Sequence, residues 1–301
     1  MSPQDSKNSA SNAADGRSIT LNKLPTTASM LLRSVATRKP KASADAVFKA
    51  LSISVQDVRA DSRQIDRFET VCELPDSEYL PLSLPHIMAF PMHLQLLLEP
   101  ECPYTPMGAV HLRNRIRQYR PIKKDEKLDL KASIGEHRRV QKGQEIDIIT
   151  EAHINGELVW DDLSTMLIRK NGDPAAAKNS ATAEPLQSPQ QSTWQLPADL
   201  GRRYAKASGD YNPIHLWPLT AKTMGFKRHI IHGMWTKNRC LAALQPEVMP
   251  AYIEIDVQFK LPVFLPCELQ FLSEKSGEQT LFEVRDAQGK KPHLRGHLVC
   301  K

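Results

Sequence analysis

The sequence predicts an α+β protein built twice over, each half a set of strands preceded by one long apolar helix. Three observations predict it. The segment Ile116–Ile122, with Pro121 near its end, is echoed by Val257–Val263, with Pro262 in the matching place, and the same offset aligns Leu128 with Leu269. A long apolar run precedes each copy, one beginning at Pro85-His86 and the other at His232-Gly233. Between the halves, residues 171–192 read NGDPAAAKNSATAEPLQSPQQS, the composition of a flexible linker. Such self-similarity marks a repeated architecture.

The elements follow in order. Residues 1–18 are rich in Ser, Asn and Ala and are expected to be disordered. Leu24, Met30, Leu31 and Leu32, followed by Arg38, Lys39 and Lys41, suggest a short helix and a basic arm. Leu51, Ile53, Val55 and Val58 predict a strand, and Ile65, Phe68 and Val71 suggest another. The run Leu80–Leu98 contains Pro81, Pro85, His86, Pro91 and His93, which argues for a buried helix with a proline-broken entry and against a membrane span. From Gly108 to Tyr119, His111, Arg113, Arg115 and Arg117 alternate with Val110, Leu112, Asn114 and Ile116, a strand with one basic face. Strands at Lys127–Ser133, Glu145–Ala152 and Leu158–Arg169 complete this half, with a hairpin turn at Asn155-Gly156. The first domain is placed at 19–170 and the second at 193–301.

In the second half, Leu219, Ala221 and Met224 give a short helical run stopped by Gly225, and Met234–Leu244 reads as a longer helix. Ile253, Ile255, Val257, Phe259 and Leu261 alternate cleanly with polar residues, and strands at Leu269–Glu274, Leu281–Arg285 and Leu294–Cys300 follow.

Composition narrows the function. The chain has 301 residues and a formal net charge of +6, room for two ordinary domains and too weakly basic for a dedicated nucleic-acid binder. The five cysteines (Cys72, Cys102, Cys240, Cys267, Cys300) are odd in number and widely spaced, without a Cys-x-x-Cys, which suits reduced thiols in the cytoplasm. The N-terminal residues show no apolar core of a signal peptide. Neither a nucleic-acid nor a membrane partner is expected. No histidine cluster has metal-ligand spacing, and no glycine-rich phosphate loop appears.

The chemistry concentrates between Ala207 and Met234, ASGDYNPIHLWPLTAKTMGFKRHIIHGM. Ser208-Gly209-Asp210 and Asn212-Pro213 form turns, and they bring two acid/base candidates, Asp210 and His215, close together in sequence. Gly-Asp-x-Asn-Pro-x-His, then a spaced Gly225-Phe226, then His232-Gly233 before a helix, closely resembles the signature of the MaoC-like, R-specific hydratase/dehydratase family. The likeness covers about thirty residues. It implies the hot-dog fold, a curled antiparallel sheet wrapped around a long helix. With the internal repeat, the expectation is a double hot dog with one site per chain, because the first half lacks the motif.

The family's reaction, as the resemblance implies, is reversible addition of water to a trans-2-enoyl thioester, giving a (3R)-3-hydroxyacyl thioester, with neither metal nor cofactor. Asp210 and His215 would handle the protons, and the backbone N–H of Gly233 at a helix start would stabilise the enolate oxygen. Asn212, His232, Trp217 and Phe226 would shape the substrate site, although Asn212 also suits a purely local role holding the loop. Trp217-Pro218 departs from the family pattern, which often carries an acidic residue two places after the histidine. The thioester would be carried by coenzyme A or an acyl carrier protein, and Arg113, Arg115, Arg117, Arg120, Lys123 and Lys124 could meet its phosphates or acidic face, or form a solvated sheet face. Exposed sheet edges leave a homo-oligomer open. A hot-dog thioesterase and a thioester-binding module without catalysis are the alternatives.

Overall fold

The structure is a computed structural model that describes residues 16–39, 48–104, 106, 108–176, 186–246 and 248–301. Strands β1 (Arg17–Leu21), β2 (Leu51–Arg59), β3 (Ala109–Gln118), β4 (Lys127–Val140), β5 (Gly143–Ile154) and β6 (Glu157–Ile168) come from the first half. Strands β7 (Gln190–Leu196), β8 (Ile253–Phe259), β9 (Cys267–Ser276), β10 (Gln279–Asp286) and β11 (Pro292–Cys300) come from the second. The strand order is β1-β2-β4-β5-β6-β3-β8-β11-β10-β9-β7. Leaving β1 aside, β2-β4-β5-β6-β3 and β7-β9-β10-β11-β8 are the same five-stranded sheet met in opposite directions. This is the double hot dog, with the two sheets hydrogen-bonded into one.

The seam is the antiparallel β3–β8 pair, in which Ile116 faces Ile255 and Arg115 faces Asp256. The repeat offset that aligns Ile116 with Val257 also aligns Arg115 with Asp256, so a residue pairs here with its own counterpart. That is the condition for a local two-fold axis between the halves.

The helices are α1 (Thr27–Ala36), α2 (Ser62–Cys72), α3 (Leu84–Leu98), α4 (Leu200–Ser208), α5 (Pro218–Thr223) and α6 (Gly233–Ala243). Helix α3 is apolar almost all round and buries 13 of its side chains, because it is enclosed on every side. It packs against β2, β4 and β5. Pro85 sits in its first turn, where its missing N–H costs nothing, and Pro91 lies inside it. Helix α6 occupies the matching place in the second half. Helices α2 and α4 pack on each other across the halves.

Several expectations are corrected. Residues 62–72 are helical, not a strand: Ile65, Phe68 and Val71 recur every third residue, and the Asp61 carboxylate caps the start by accepting from Gln64 N–H at 2.9 Å. Residues 1–15 lie outside the described residues, but Arg17 and Ser18, expected to be disordered, are ordered by the parallel pairing of β1 with β2. Likewise residues 177–185 of the expected linker lie outside the described residues, whereas Gln190–Ser192 belong to β7. Helix α4 had no sequence reading at all. Part of the basic arm, residues 40–47, is also outside the described residues.

Because Ile255 is fully buried at the seam, Ile255→Ala should cost about 2–5 kcal/mol, read as a lower urea midpoint with an unchanged m-value.

Candidate active site

Helix α4 ends at Gly209, and the chain then turns through Asp210 and Asn212 into a single 3-10 turn, Pro213–His215. Three local hydrogen bonds, each spanning two residues, hold this loop. Asp210 N–H donates to Ser208 Oγ at 3.2 Å, Asn212 N–H to Asp210 Oδ1 at 3.1 Å, and Ile214 N–H to Asn212 Oδ1 at 3.4 Å. Asn212 thus spends its side-chain oxygen on the backbone, the local role expected of such a residue. Helix α4 packs directly behind the loop: a Cβ on Gly201 would stand 2.2 Å from the carbonyl oxygen of His215.

Asp210, His215 and His232 converge, with one ligand-type atom from each lying within 4.8 Å of the others. The two imidazoles stack with centroids 3.7 Å apart, and both are buried. His215 Nδ1 lies 2.9 Å from the Ile230 carbonyl oxygen, so Nδ1 carries the proton and Nε2 keeps its lone pair. His232 Nε2 lies 2.9 Å from the backbone oxygen of Asp210 and 3.8 Å from its carboxylate. The Tyr204 ring packs against His232 at 4.8 Å. Asp210 is the most open of the three, with 27% of its side chain exposed.

Electrostatics favours neutral rings. Burial lowers the His215 pKa, and the Asp210 carboxylate only partly opposes it. Burial, followed by the His215 ring, puts His232 well below the ordinary histidine value. A carboxylate and two imidazoles this close could also hold a divalent cation. The His232 nitrogen that faces Asp210 is Nε2, already bonded to the Asp210 backbone oxygen, so a cation there would compete with that bond.

His232 is the N-cap of α6, and Gly233 is its first residue. The first N–H groups of a helix lack partners within it, and the dipole adds positive potential there. A Cβ on Gly233 would stand 2.9 Å from Cε1 of Phe259, so the ring packs directly on the bare backbone.

Of the other residues expected in the site, one faces solvent and one closes the neighbouring turn. Trp217 is 52% exposed, and the Arg202 guanidinium lies over its ring at 3.8 Å. Phe226 closes the turn after α5, its N–H donating to the Ala221 carbonyl at 3.0 Å. Four of the six basic residues of β3 and its exit are already paired with carboxylates. Arg113 meets Glu145, Arg117 meets Asp161, Arg120 meets Glu126, and Lys124 meets Glu69 and Asp76. Residues the sequence reading passed over are Tyr204 and Gly201, both on α4. The signal available for them was the spacing of Leu200, Tyr204, Ala205 and Ser208.

The chain is similar to several known proteins. Residues 177–296 match the family model of the MaoC like domain. The C-terminal half of the chain is a MaoC-like domain. The chain is 29% identical over 248 residues to 3-hydroxyacyl-thioester dehydratase X of Mycobacterium tuberculosis, covering 81% of this chain and 87% of that one. The crystal structure of HtdX of Mycobacterium tuberculosis superposes with a TM-score of 0.72 at 26% identity, over 83% of this chain and 100% of that one. The chain also resembles the (R)-specific enoyl-CoA hydratase of Aeromonas caviae, 37% identical over 70 residues, 22% of this chain and 52% of that protein. Among the described residues, no helix is long and apolar enough to cross a membrane.

The depressed histidines make stability pH-dependent. Folded His215 and His232 bind protons less readily than the unfolded chain. Their contribution is therefore complete above pH about 6.5 and is lost as pH falls below it. Melting curves should show Tm falling on acidification, and His232→Asn should fall less steeply; parallel curves would contradict this origin.

Proposed function

We propose that the protein is a hydro-lyase that interconverts (3R)-3-hydroxyacyl and trans-2-enoyl thioesters. The observation that carries the reading is one juxtaposition. A carboxylate (Asp210) and a buried, neutral imidazole with a free Nε2 (His215) stand beside the N-terminus of α6. Hydration chemistry needs those three elements: a base, an acid and an oxyanion site.

In the dehydration direction, His215 Nε2 removes the α proton and the electron pair moves onto the thioester oxygen. The N–H groups at Gly233 stabilise that oxygen. The enolate then collapses, the C–O bond at the β carbon breaks, and the Asp210–His215 pair protonates the departing hydroxyl, releasing water. Hydration is the reverse. His232 keeps the loop and the base in place by binding the Asp210 backbone and stacking on His215. Two adjacent imidazolium ions would repel, which favours the neutral base.

In this reading residues 193–301 carry the reacting groups, and residues 19–170 supply a wall of the acyl site. The carrier is coenzyme A or an acyl carrier protein. The names of the Mycobacterium and Aeromonas relatives support the thioester substrate and the R configuration. Five unpaired cysteines suit a reducing compartment, the cytoplasm.

A panel of trans-2-enoyl thioesters, short to long, on both carriers tests the proposal. Wild type should hydrate some of them, and Asp210→Asn and His215→Ala should each lose about a hundredfold or more while keeping the wild-type fold by circular dichroism. Release of free thiol would replace the reading with a thioesterase; tight binding without turnover would replace it with a binding module. Because burial lowers the His215 pKa, the acid limb of kcat/KM should have its midpoint below about 6.5. A midpoint above that value would remove His215 as the base.

A further inference from the structure

A second set of buried titratable groups lies beneath the seam, outside the cluster described above. Lys237, on α6, is fully buried. Its Nζ donates to Asn114 Oδ1 on β3. Asn114 Nδ2 donates to Asp162 Oδ1 on β6 at 2.9 Å and to Ser164 Oγ at 3.0 Å. The other carboxylate oxygen of Asp162 bonds to His86 Nδ1, in the first turn of α3. One cation from the second half and one carboxylate from the first are thus held apart by an amide that touches both.

This network closes on the α6 N-terminus. His86 stacks on His111 with centroids 6.0 Å apart, and His111 packs on Phe259 at 5.0 Å. Phe259 is the ring that meets Gly233. Gly233 and Lys237 are four residues apart, on one face of the helix. Starting at Gly233, the circuit runs through Phe259, His111, His86, Asp162, Asn114 and Lys237, and one helical turn returns it to Gly233.

Stability alone does not call for such a set. A buried ion pair is commonly replaceable by apolar residues of similar size at no cost, and often with a gain. Burial takes Lys237 down to about 7, against the opposing pull of Asp162 and Asp256, so the charge is held at a real desolvation cost. Asp162 is raised by burial, but the nearby His86 more than offsets this and keeps it below the usual carboxylate range. What polar contacts provide and apolar ones do not is direction. The opposite face of α6 is tied as well: Trp235 Nε1 donates to the Val71 carbonyl at 2.8 Å, and Arg239 meets Glu73 at 2.8 Å, both at the end of α2.

We propose that Lys237, Asn114, Asp162 and His86 are positioning residues, a buried polar strut that fixes the first turn of α6 against the first half and so aims the Gly233 N–H groups at the reacting oxygen. The proposal rests on the hydro-lyase reading for its chemistry, but not for its geometry. All four side chains are buried, and they act through α6.

The test compares wild type with Lys237→Met, Asp162→Asn and the double variant Lys237→Met/Asp162→Asn. It measures kcat and KM on whichever enoyl thioester the wild type turns over, Tm, and amide hydrogen exchange of residues 236–238, the first α6 amides with partners inside the helix. Lys237→Met takes away the donor to Asn114, and Asp162→Asn takes away the carboxylate that bonds His86 and Asn114, so each single variant should lose stability. The double variant removes the buried lysine and the buried carboxylate together and should regain most of the Tm, yet keep a kcat reduced roughly ten- to a hundredfold. Its KM should stay near the wild-type value, and its α6 first-turn amides should exchange faster. A double variant with wild-type kcat or wild-type exchange would overturn the proposal, leaving the strut a matter of charge balance. If wild type turns over none of the thioesters, the hydro-lyase reading fails and the exchange measurement still decides the strut.

Discussion

The β3–β8 pairing is the constraint on which the rest depends. Each half alone would leave a sheet edge with a row of unmade hydrogen bonds. Joined, the two five-stranded sheets share one ladder, with Arg115 opposite Asp256 at its centre. The pairing also decides what the helices meet. With the halves joined, a lysine on α6 and a histidine on α3 reach the same asparagine–aspartate pair on β3 and β6. The start of α6 is therefore not an isolated helix end. It is placed by contacts from both halves.

That placement matters because the candidate site has few other means of precision. Its two acid/base groups lie on a loop whose own hydrogen bonds span only two residues each. A loop of this kind holds its shape but not its orientation. Orientation comes from outside: α4 pressed against the His215 carbonyl through Gly201, the Ile230 carbonyl holding His215 Nδ1, and His232 bridging α6 back to the Asp210 backbone. The last is the direct tie between loop and helix. Anything that moves the first turn of α6 moves His232, and with it the plane on which His215 stacks.

The sequence makes some of this legible and hides the rest for physical reasons. The doubled architecture is readable because proline and alternating apolar residues recur at one offset on both sides of the seam. The loop is readable because Asp210, Asn212, Pro213 and His215 interact over a handful of residues, where spacing in sequence is close to spacing in space. Helix α2 was open to recognition through the threefold spacing of Ile65, Phe68 and Val71 and the Asp61 cap. His111 was not: simple alternation puts it on the basic face of β3, but the register shifts between His111 and Arg113, and the ring turns inward onto His86 and Phe259. The salt links of β3 and β4 are equally non-local, since Arg113 and Arg117 find carboxylates on β5 and β6. Trp217 shows the reverse error. A residue adjacent to the motif in sequence faces solvent, because the chain leaves the site as α5 begins.

The two halves resolve the same burial problem with different chemistry. At the start of α6 the polar groups are aimed outward from the helix end: His232 bonds the Asp210–His215 loop, and the first N–H groups stay open. At the start of α3 the same position is occupied by Leu84-Pro85-His86. Proline there removes one free N–H, and His86 is bound to Asp162, deep under the sheet. A helix start that has lost a donor to proline and whose histidine is already partnered has less to offer a thioester oxygen. The first half has thus turned its polar groups inward, where they brace the helix of the second, and the asymmetry of the duplicated fold becomes a division between the half that presents the reacting groups and the half that holds them still.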